Sequence, residues 1–295
     1  MAASNASAIA RRSKQTAQVK RVVGTAFAHL VLTVVSIGFA LPFVWMISSS
    51  LKTQAQVFIF PPRWIPRPML WSNYAELLGV WQFGVYIRNS LTIAVPSLIG
   101  AVLSCSLAAY AFARLRGYGR NVLFAMVLVT MMLPYPVTMI PLFLLFKQLG
   151  WVNTYLPMIV PSFFAFGGFY IFLLRQFFLG ISPELSDAAK IDGCGQFGIY
   201  WRIIMPLAKP ALATVALFDF MGNWNDLLGP LIYINSMSKY TLALGLAGLR
   251  AVRSSMTPWH LLMAGSIVVA LPPMILFFTA QKLFIQGIVV TGIKG

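Results

Sequence analysis

The chain has 295 residues, of which 59% are hydrophobic and 9% charged, with a net charge of +16. A soluble domain carries about 25% charged residues, so a soluble fold of this composition is excluded and the chain reads as an integral membrane protein. No stretch alternates basic and aromatic residues as a nucleic-acid surface would, and the positive charge is read as marking cytoplasmic loops and lipid headgroups instead.

Residues 1–21 are small and polar and include Arg11, Arg12, Lys14, Lys20 and Arg21. They read as a disordered basic cytoplasmic tail, leaving 22–295 as a membrane domain with its core at 86–285. The apolar run at about 22–47 exceeds the ~7–15 residues of a signal-peptide core, so it reads as a first spanning helix. Five further segments, at about 86–113, 121–146, 157–179, 207–234 and 260–285, reach the ~20 apolar residues a span needs. None alternates as barrel strands do. The expected fold is therefore all-α and polytopic, with about six transmembrane helices.

Sidedness follows from the basic residues. With the N-terminus inside, fourteen Lys and Arg fall on the cytoplasmic side and eight outside, so both termini are expected in the cytoplasm. The outer segment 51–85 contains Pro61, Pro62, Pro66 and Pro68, which oppose a regular helix. Its Trp64, Trp71, Tyr74 and Trp81 suit a membrane–water interface. Prolines also interrupt the spans, most densely at Pro134, Pro136 and Pro141. They mark either static kinks or a bundle that rearranges around a pathway.

Between the fourth and fifth spans the chain turns polar. Ser182–Pro210 holds three acids, three bases and several small residues. Ser182-Pro183-Glu184 is a helix start, with a capping serine, proline at the first position and an acid near the positive end of the dipole. The helix is expected to run through Asp187, Ala188, Ala189 and Ile191 and to stop at Asp192-Gly193. A second helix fits 196–205, ending before Pro206, with Phe197, Tyr200, Trp201 and Ile204 on one apolar face. A plain connection would be shorter. A capped helix carrying two alanines, Ala188 and Ala189, offers a surface that another protein can approach closely.

Two acids fall inside or near the fifth span. Asp219 stands near mid-depth and Asp226 further out, with Asn223 and Asn225 close by in sequence. A charge at mid-bilayer costs ~2.5–3.5 kcal/mol on insertion scales. Such residues line a pathway or hold helices together by hydrogen bonds. Cys105 and Cys194 fall on different levels of this topology and are not expected to pair. No catalytic constellation, metal-ligand cluster or cofactor motif is visible. No G-x-x-x-x-G-K-[ST] loop occurs in the sequence, so any energy source would be another subunit or an ion gradient.

The stretch "DAAKIDGCGQFGIYWRIIMPL" resembles the cytoplasmic signature of ABC-importer permeases. Asp187, Ala188 and Ala189 match its E-A-A, Asp192 and Gly193 its D-G, and Ile203 and Pro206 its later I and P. Asp187 departs from the more usual glutamate, and Cys194 from the more usual alanine. The stretches "SSSLKT", "FPPRWIPRPMLWSNYAELL", "RNSLTIA", "NWNDLLGPLIY" and "QGIVVTGIKG" resemble the carbohydrate-uptake branch, related to the smaller membrane subunit of maltose importers. The resemblance covers about 22–295. It implies a sugar importer of the bacterial or archaeal cytoplasmic membrane that moves substrate by alternating access. The implied partners are two ATPase subunits, a second and usually different permease, and an extracytoplasmic solute-binding protein. It also implies that 182–206 couples to the ATPase, through Glu184, Asp187, Ala188, Ala189, Asp192, Gly193 and Pro206. An importer of another small solute and an ion-coupled transporter working through Asp219 are the alternatives.

Overall fold

The computed structural model describes the backbone of residues 2–250 and 257–292, and the side chains of 21–250 and 257–281. The side chains of Arg11, Arg12, Lys14, Lys20, Arg253, Lys282 and Lys294, used above for sidedness, and those of the terminal "QGIVVTGIKG" lie outside the described residues.

Helix α1 (Ala2–Ser50) begins far upstream of its expected start. The segment expected as a disordered tail is helical in its backbone. It is rich in alanine and has no glycine or proline before Gly24, which favours helix by intrinsic propensity. Between Arg21 and Ser50 the helix is long and apolar enough to cross a membrane, and its most apolar 18-residue window is not buried within the chain. At its end Ser48, Ser49, Ser50 and Lys52 are buried. The Asn73 amide donates to the carbonyls of Ser50, at 2.8 Å, and Lys52, at 2.9 Å. The Lys52 ammonium sits 3.8 Å from the centre of the Trp45 ring.

Helix α2 (Gln54–Val57) is one turn with a Thr53 capping box. The proline-rich stretch 58–71 is irregular, as expected, and α3 (Ser72–Gly79) follows. Helix α4 (Phe83–Arg114) is the centre of the fold. Its buried face carries Ser90, Ala94, Ser97, Ala101, Cys105 and Ala109 at helical spacing. Small residues let neighbouring helices approach closely where lipid provides no hydrophobic drive.

The third expected span is not one helix. Helices α5 (Arg120–Met131) and α6 (Tyr135–Gln148) meet at 100°. Pro134 holds an extended backbone at φ −64°, ψ 138°, and Leu133, the residue before it, is steered away from helix. The fourth span is interrupted too. It consists of α7 (Leu156–Ile159), a 3-10 turn at Val160–Phe164, a left-handed Ala165 at φ +55°, and α8 (Gly168–Gly180).

Then come α9 (Pro183–Ile191), α10 (Gln196–Ile199), a π-turn at Tyr200–Ile204 and α11 (Met205–Leu207). The chain bends by 80° into α12 (Lys209–Trp224). The fifth expected segment, 207–234, breaks again before α13 (Leu228–Tyr233). The connection that follows contains a partly buried helix, α14 (Leu242–Arg250), before α15 (Trp259–Gly292). Among the described residues the fold is helical. Four helices or near-continuous helical stretches can cross a membrane, or up to six if each bent pair counts as one span.

Two apolar clusters hold the bundle. One gathers Cys105 and Ala109 of α4, Leu174 and Phe178 of α8, Tyr200 and Val215. The other gathers Phe83, Tyr86 and Ala94 of α4 with Phe220, Trp224 and Leu261. Between them, on α4, lies a polar band. Ser104 Oγ donates to the carbonyl of Ser162 at 2.7 Å and accepts the N–H of Ala165 at 3.1 Å. It thereby serves two backbone groups freed by the break in the fourth span. Ser104→Ala should lower the unfolding midpoint of the detergent-solubilised chain, by a stability loss of about 1–2 kcal/mol. Ser104→Thr, which keeps the hydroxyl, should lose less. An unchanged midpoint in the alanine variant would show that the hydroxyl does not support the break.

Candidate functional site

Two regions gather the residues singled out from the sequence. The first is a cavity of about 280 Å³ at the level of the polar band. Asp219, Asn223 and Asp226 line it, together with Tyr135, Tyr170 and Tyr233. The breaks at Pro134 and at 160–167 bring Tyr135 and Ser162 to its wall.

Asp219 is buried, with 6% of its surface exposed. Its Oδ2 accepts the Asn223 amide at 3.0 Å. Its Oδ1 has no hydrogen-bond donor among the described residues. The same Asn223 amide donates to Ser97 Oγ at 3.2 Å, and the Ser97 and Ser162 hydroxyls are 2.6 Å apart. The two sequence readings of this region, pathway lining and helix-to-helix hydrogen bonding, therefore fall on one network. Asn223 joins α12 to α4, while Asp219 lies at the cavity wall.

Asp226 has a local task. Its Oδ1 accepts the N–H of Gly229 at 3.1 Å, as a capping side chain does at the start of a helix. Asn225 does not reach the cavity. It is exposed, and its amide folds back onto the carbonyl of Met221 at 2.9 Å. Its neighbour Trp224 turns inward and donates to the Val269 carbonyl at 2.9 Å. Successive residues at a helix end point in different directions, so "NWNDLL" divides between packing, solvent and cavity. The tyrosines and Ser162 were missed in the sequence. For Tyr135 and Ser162 the neighbouring prolines, Pro134, Pro136 and Pro161, were the available signal; Tyr170 and Tyr233 carried none.

The second region is the polar segment 182–206. The Ser182 hydroxyl accepts the N–H of Glu184 at 3.3 Å, and Pro183 occupies the first turn of α9. Gly193 has φ +79°. The N–H of Cys194 reaches the carbonyl of Ala189 at 2.8 Å, and that of Gly193 reaches Lys190 at 3.0 Å. This pair of bonds is a Schellman stop, which favours glycine at its left-handed position. Lys190 Nζ lies 2.8 Å from Asp187 Oδ1. That hydrogen bond and charge hold the Asp187 carboxyl below the usual carboxylate range.

The two alanines do not share a face. Ala188 is exposed, whereas Ala189 is buried in the first apolar cluster. A helix turns about 100° per residue, and here that turn carries Ala189 round to the buried side. The outer surface of α9 instead presents Glu184, Leu185, Asp187, Ala188 and Ile191, the last 87% exposed. The expected apolar face of the second helix also shifts. Tyr200 and Ile204 are buried, joined by Ile199, while Phe197 and Trp201 are 69% and 52% exposed. The π-turn widens the helical repeat there and breaks the 3.6-residue phase. The Tyr200 hydroxyl pairs with Ser106 Oγ of α4 at 2.8 Å. Asp192 and Pro206 are exposed.

If Asp226 acts as a cap, Asp226→Ala should destabilise the chain by roughly 1 kcal/mol, and Asp226→Asn by a fraction of that. Thermal unfolding in detergent compares them; equal losses for the two would assign the effect to charge instead.

The chain is similar to several characterised transport proteins. It is 35% identical over 252 residues to the arabinooligosaccharides transport system permease protein AraQ of Halalkalibacterium halodurans, covering 84% of this chain and 86% of that one. It is 30% identical over 270 residues to the sn-glycerol-3-phosphate transport system permease protein UgpE of Yersinia pestis, covering 89% and 95%. Its fold matches a chain in the crystal structure of a bacterial ABC transporter involved in the import of the acidic polysaccharide alginate. That match has a TM-score of 0.77 and 25% identity, and covers 90% of this chain and 97% of the other. Residues 100–290 match the description "binding-protein-dependent transport system inner membrane component". Spanning helices, a cavity at mid-chain depth and a capped polar segment thus sit in a chain that belongs to the family of binding-protein-dependent inner-membrane transport components.

Proposed function

We propose that this chain is the permease subunit of an ATP-driven importer for a sugar or oligosaccharide, and that α9 docks into a separate ATPase subunit. The observation that carries the docking is the outer surface of α9. It is a helix closed at both ends by its own caps, with Leu185 and Ile191 exposed beside Glu184 and Asp187. Exposed apolar side chains flanked by charge are the composition of a helix that fits a partner's groove. Glu184, Asp187, Ala188 and Asp192 form the contact in this reading. Ala189, Gly193 and Pro206 hold its shape.

The complex comprises two ATPase subunits, a second and usually different permease, and an extracytoplasmic binding protein that delivers the substrate. Both termini and α9 lie on the cytoplasmic side of a bacterial or archaeal cytoplasmic membrane, as the excess of basic residues there favours. Motion of the docked helix passes through the 80° elbow into α12, which carries Asp219 and Asn223. Arabinooligosaccharide and alginate import among similar proteins supports a saccharide substrate. Family membership favours this reading over ion coupling through Asp219.

Two experiments test the docking. Asp187→Arg should abolish co-purification of an ATPase subunit from mild detergent, while the native chain retains it; retention by the variant would overturn the contact. The native association should stay level between about pH 5 and 8, because a carboxyl held below its usual range remains charged there. The stabilisation from the Asp187–Lys190 pair is present above the ordinary carboxylate pKa and is lost as pH falls through the lowered value. Gly193→Pro cannot adopt the left-handed φ of this position. In an assembled complex it should leave ATP hydrolysis running while uptake falls at least about tenfold, a loss of ~1.4 kcal/mol in coupling. Normal uptake would remove the helix stop from the mechanism.

A further inference from the structure

The charges in the cavity bear on which saccharides pass. The lining includes two carboxylates, Asp219 and Asp226, and no Lys, Arg or His among the described residues. Asp226 is partly engaged by the Gly229 N–H. Asp219 keeps one oxygen without a donor although the side chain is buried. The uncharged polar groups of the wall come from Ser162, Asn223, Tyr135, Tyr170 and Tyr233, and apolar residues such as Leu142, Phe146 and Met158 complete it.

We infer that this cavity is a site for one ring of an uncharged saccharide, and that Asp219 makes it discriminate against anionic ones. The inference rests on the importer reading above. Sugar hydroxyls donate hydrogen bonds, and a carboxylate oxygen without a partner accepts them strongly. Tyrosine rings offer apolar faces with polar ends beside them. The volume, about 280 Å³, lies just below the ~300–1,000 Å³ of common small-molecule sites. One ring fills it, and a longer oligosaccharide extends beyond it. A uronate or phosphate would bring a second negative charge into a space of low dielectric with no cation to offset it. Like charges brought together in that way lower affinity for the anionic ligand.

The test uses the complete membrane complex in nanodiscs without its binding protein, so that the binding protein's own preference does not enter. Binding of a labelled neutral pentose trisaccharide is compared with that of a uronate trisaccharide by equilibrium dialysis. The neutral sugar should bind at least about tenfold more tightly, as like-charge exclusion predicts. Asp219→Asn, which keeps the shape and removes the charge, should narrow that ratio. Met158→Lys is the second variant. Met158 and the Asp226 carboxylate both lie against Gly229 at the cavity wall, so an ammonium there should raise uronate binding. It keeps the inference testable if Asp219→Asn fails to assemble. Equal binding of the two sugars by the native complex, or a ratio that neither variant changes, would overturn the inference and leave the importer reading intact. So would absence of saccharide binding in a complex that still imports sugar when its binding protein is added. Failure to import any saccharide with the binding protein present would overturn the importer reading itself.

Discussion

A break in a membrane helix exposes backbone that lipid cannot satisfy, and this fold meets that constraint chiefly with hydroxyls on α4. Ser104 serves a carbonyl and an N–H across the gap in the fourth span. Cys105 adds a thiol contact to the Gly167 carbonyl at 3.7 Å. Serine supplies both a donor and an acceptor in little volume, so one residue can serve two orphaned groups without holding the helices apart. The central position of α4 follows from this. A helix lined only with leucine would pack as many neighbours, but it would leave the interrupted span unsupported.

The same interruptions create the cavity. Where a continuous helix would fill space with side chains on every turn, the 100° bend after Met131 and the 3-10 turn at Val160–Phe164 turn the chain aside. The polar groups that then meet at the gap do two jobs. Asn223 is shared between Asp219 and Ser97, so the group that orients the acid also fastens α12 to α4. Structural and ligand-facing roles are not separable residue by residue here. The hydrogen-bond network that keeps the breaks tolerable is also the lining.

Much of this was legible in the sequence, and what was lost has physical causes. Span locations follow from composition, because ~20 apolar residues in a row have few alternatives. The start and stop of α9 follow from Ser182, Pro183 and Gly193, whose chemistry is local. Orientation within the second short helix was not legible. Phe197 and Trp201 match a 3.6-residue repeat, but the π-turn displaces that repeat, and a π-turn has no simple residue signature. Ala188 and Ala189 were read as a pair because both are small, whereas the helix places one inside and one outside. Tyr135, Tyr170 and Tyr233 were hidden among many aromatics, since only the folded breaks distinguish a cavity-lining tyrosine from a packing one.

The elbow between α11 and α12 sets a mechanical ratio. Asp219 lies ten residues beyond Lys209, about 15 Å along a helix rising 1.5 Å per residue. A swing of roughly 10° at the elbow would therefore sweep its carboxylate sideways by about 2.5 Å, close to the length of one hydrogen bond. A small angular input at the polar end of the bundle is enough to exchange one hydrogen-bond partner of Asp219 for another. Rearranging the polar cavity wall takes no large helix displacement, only a lever arm of this length.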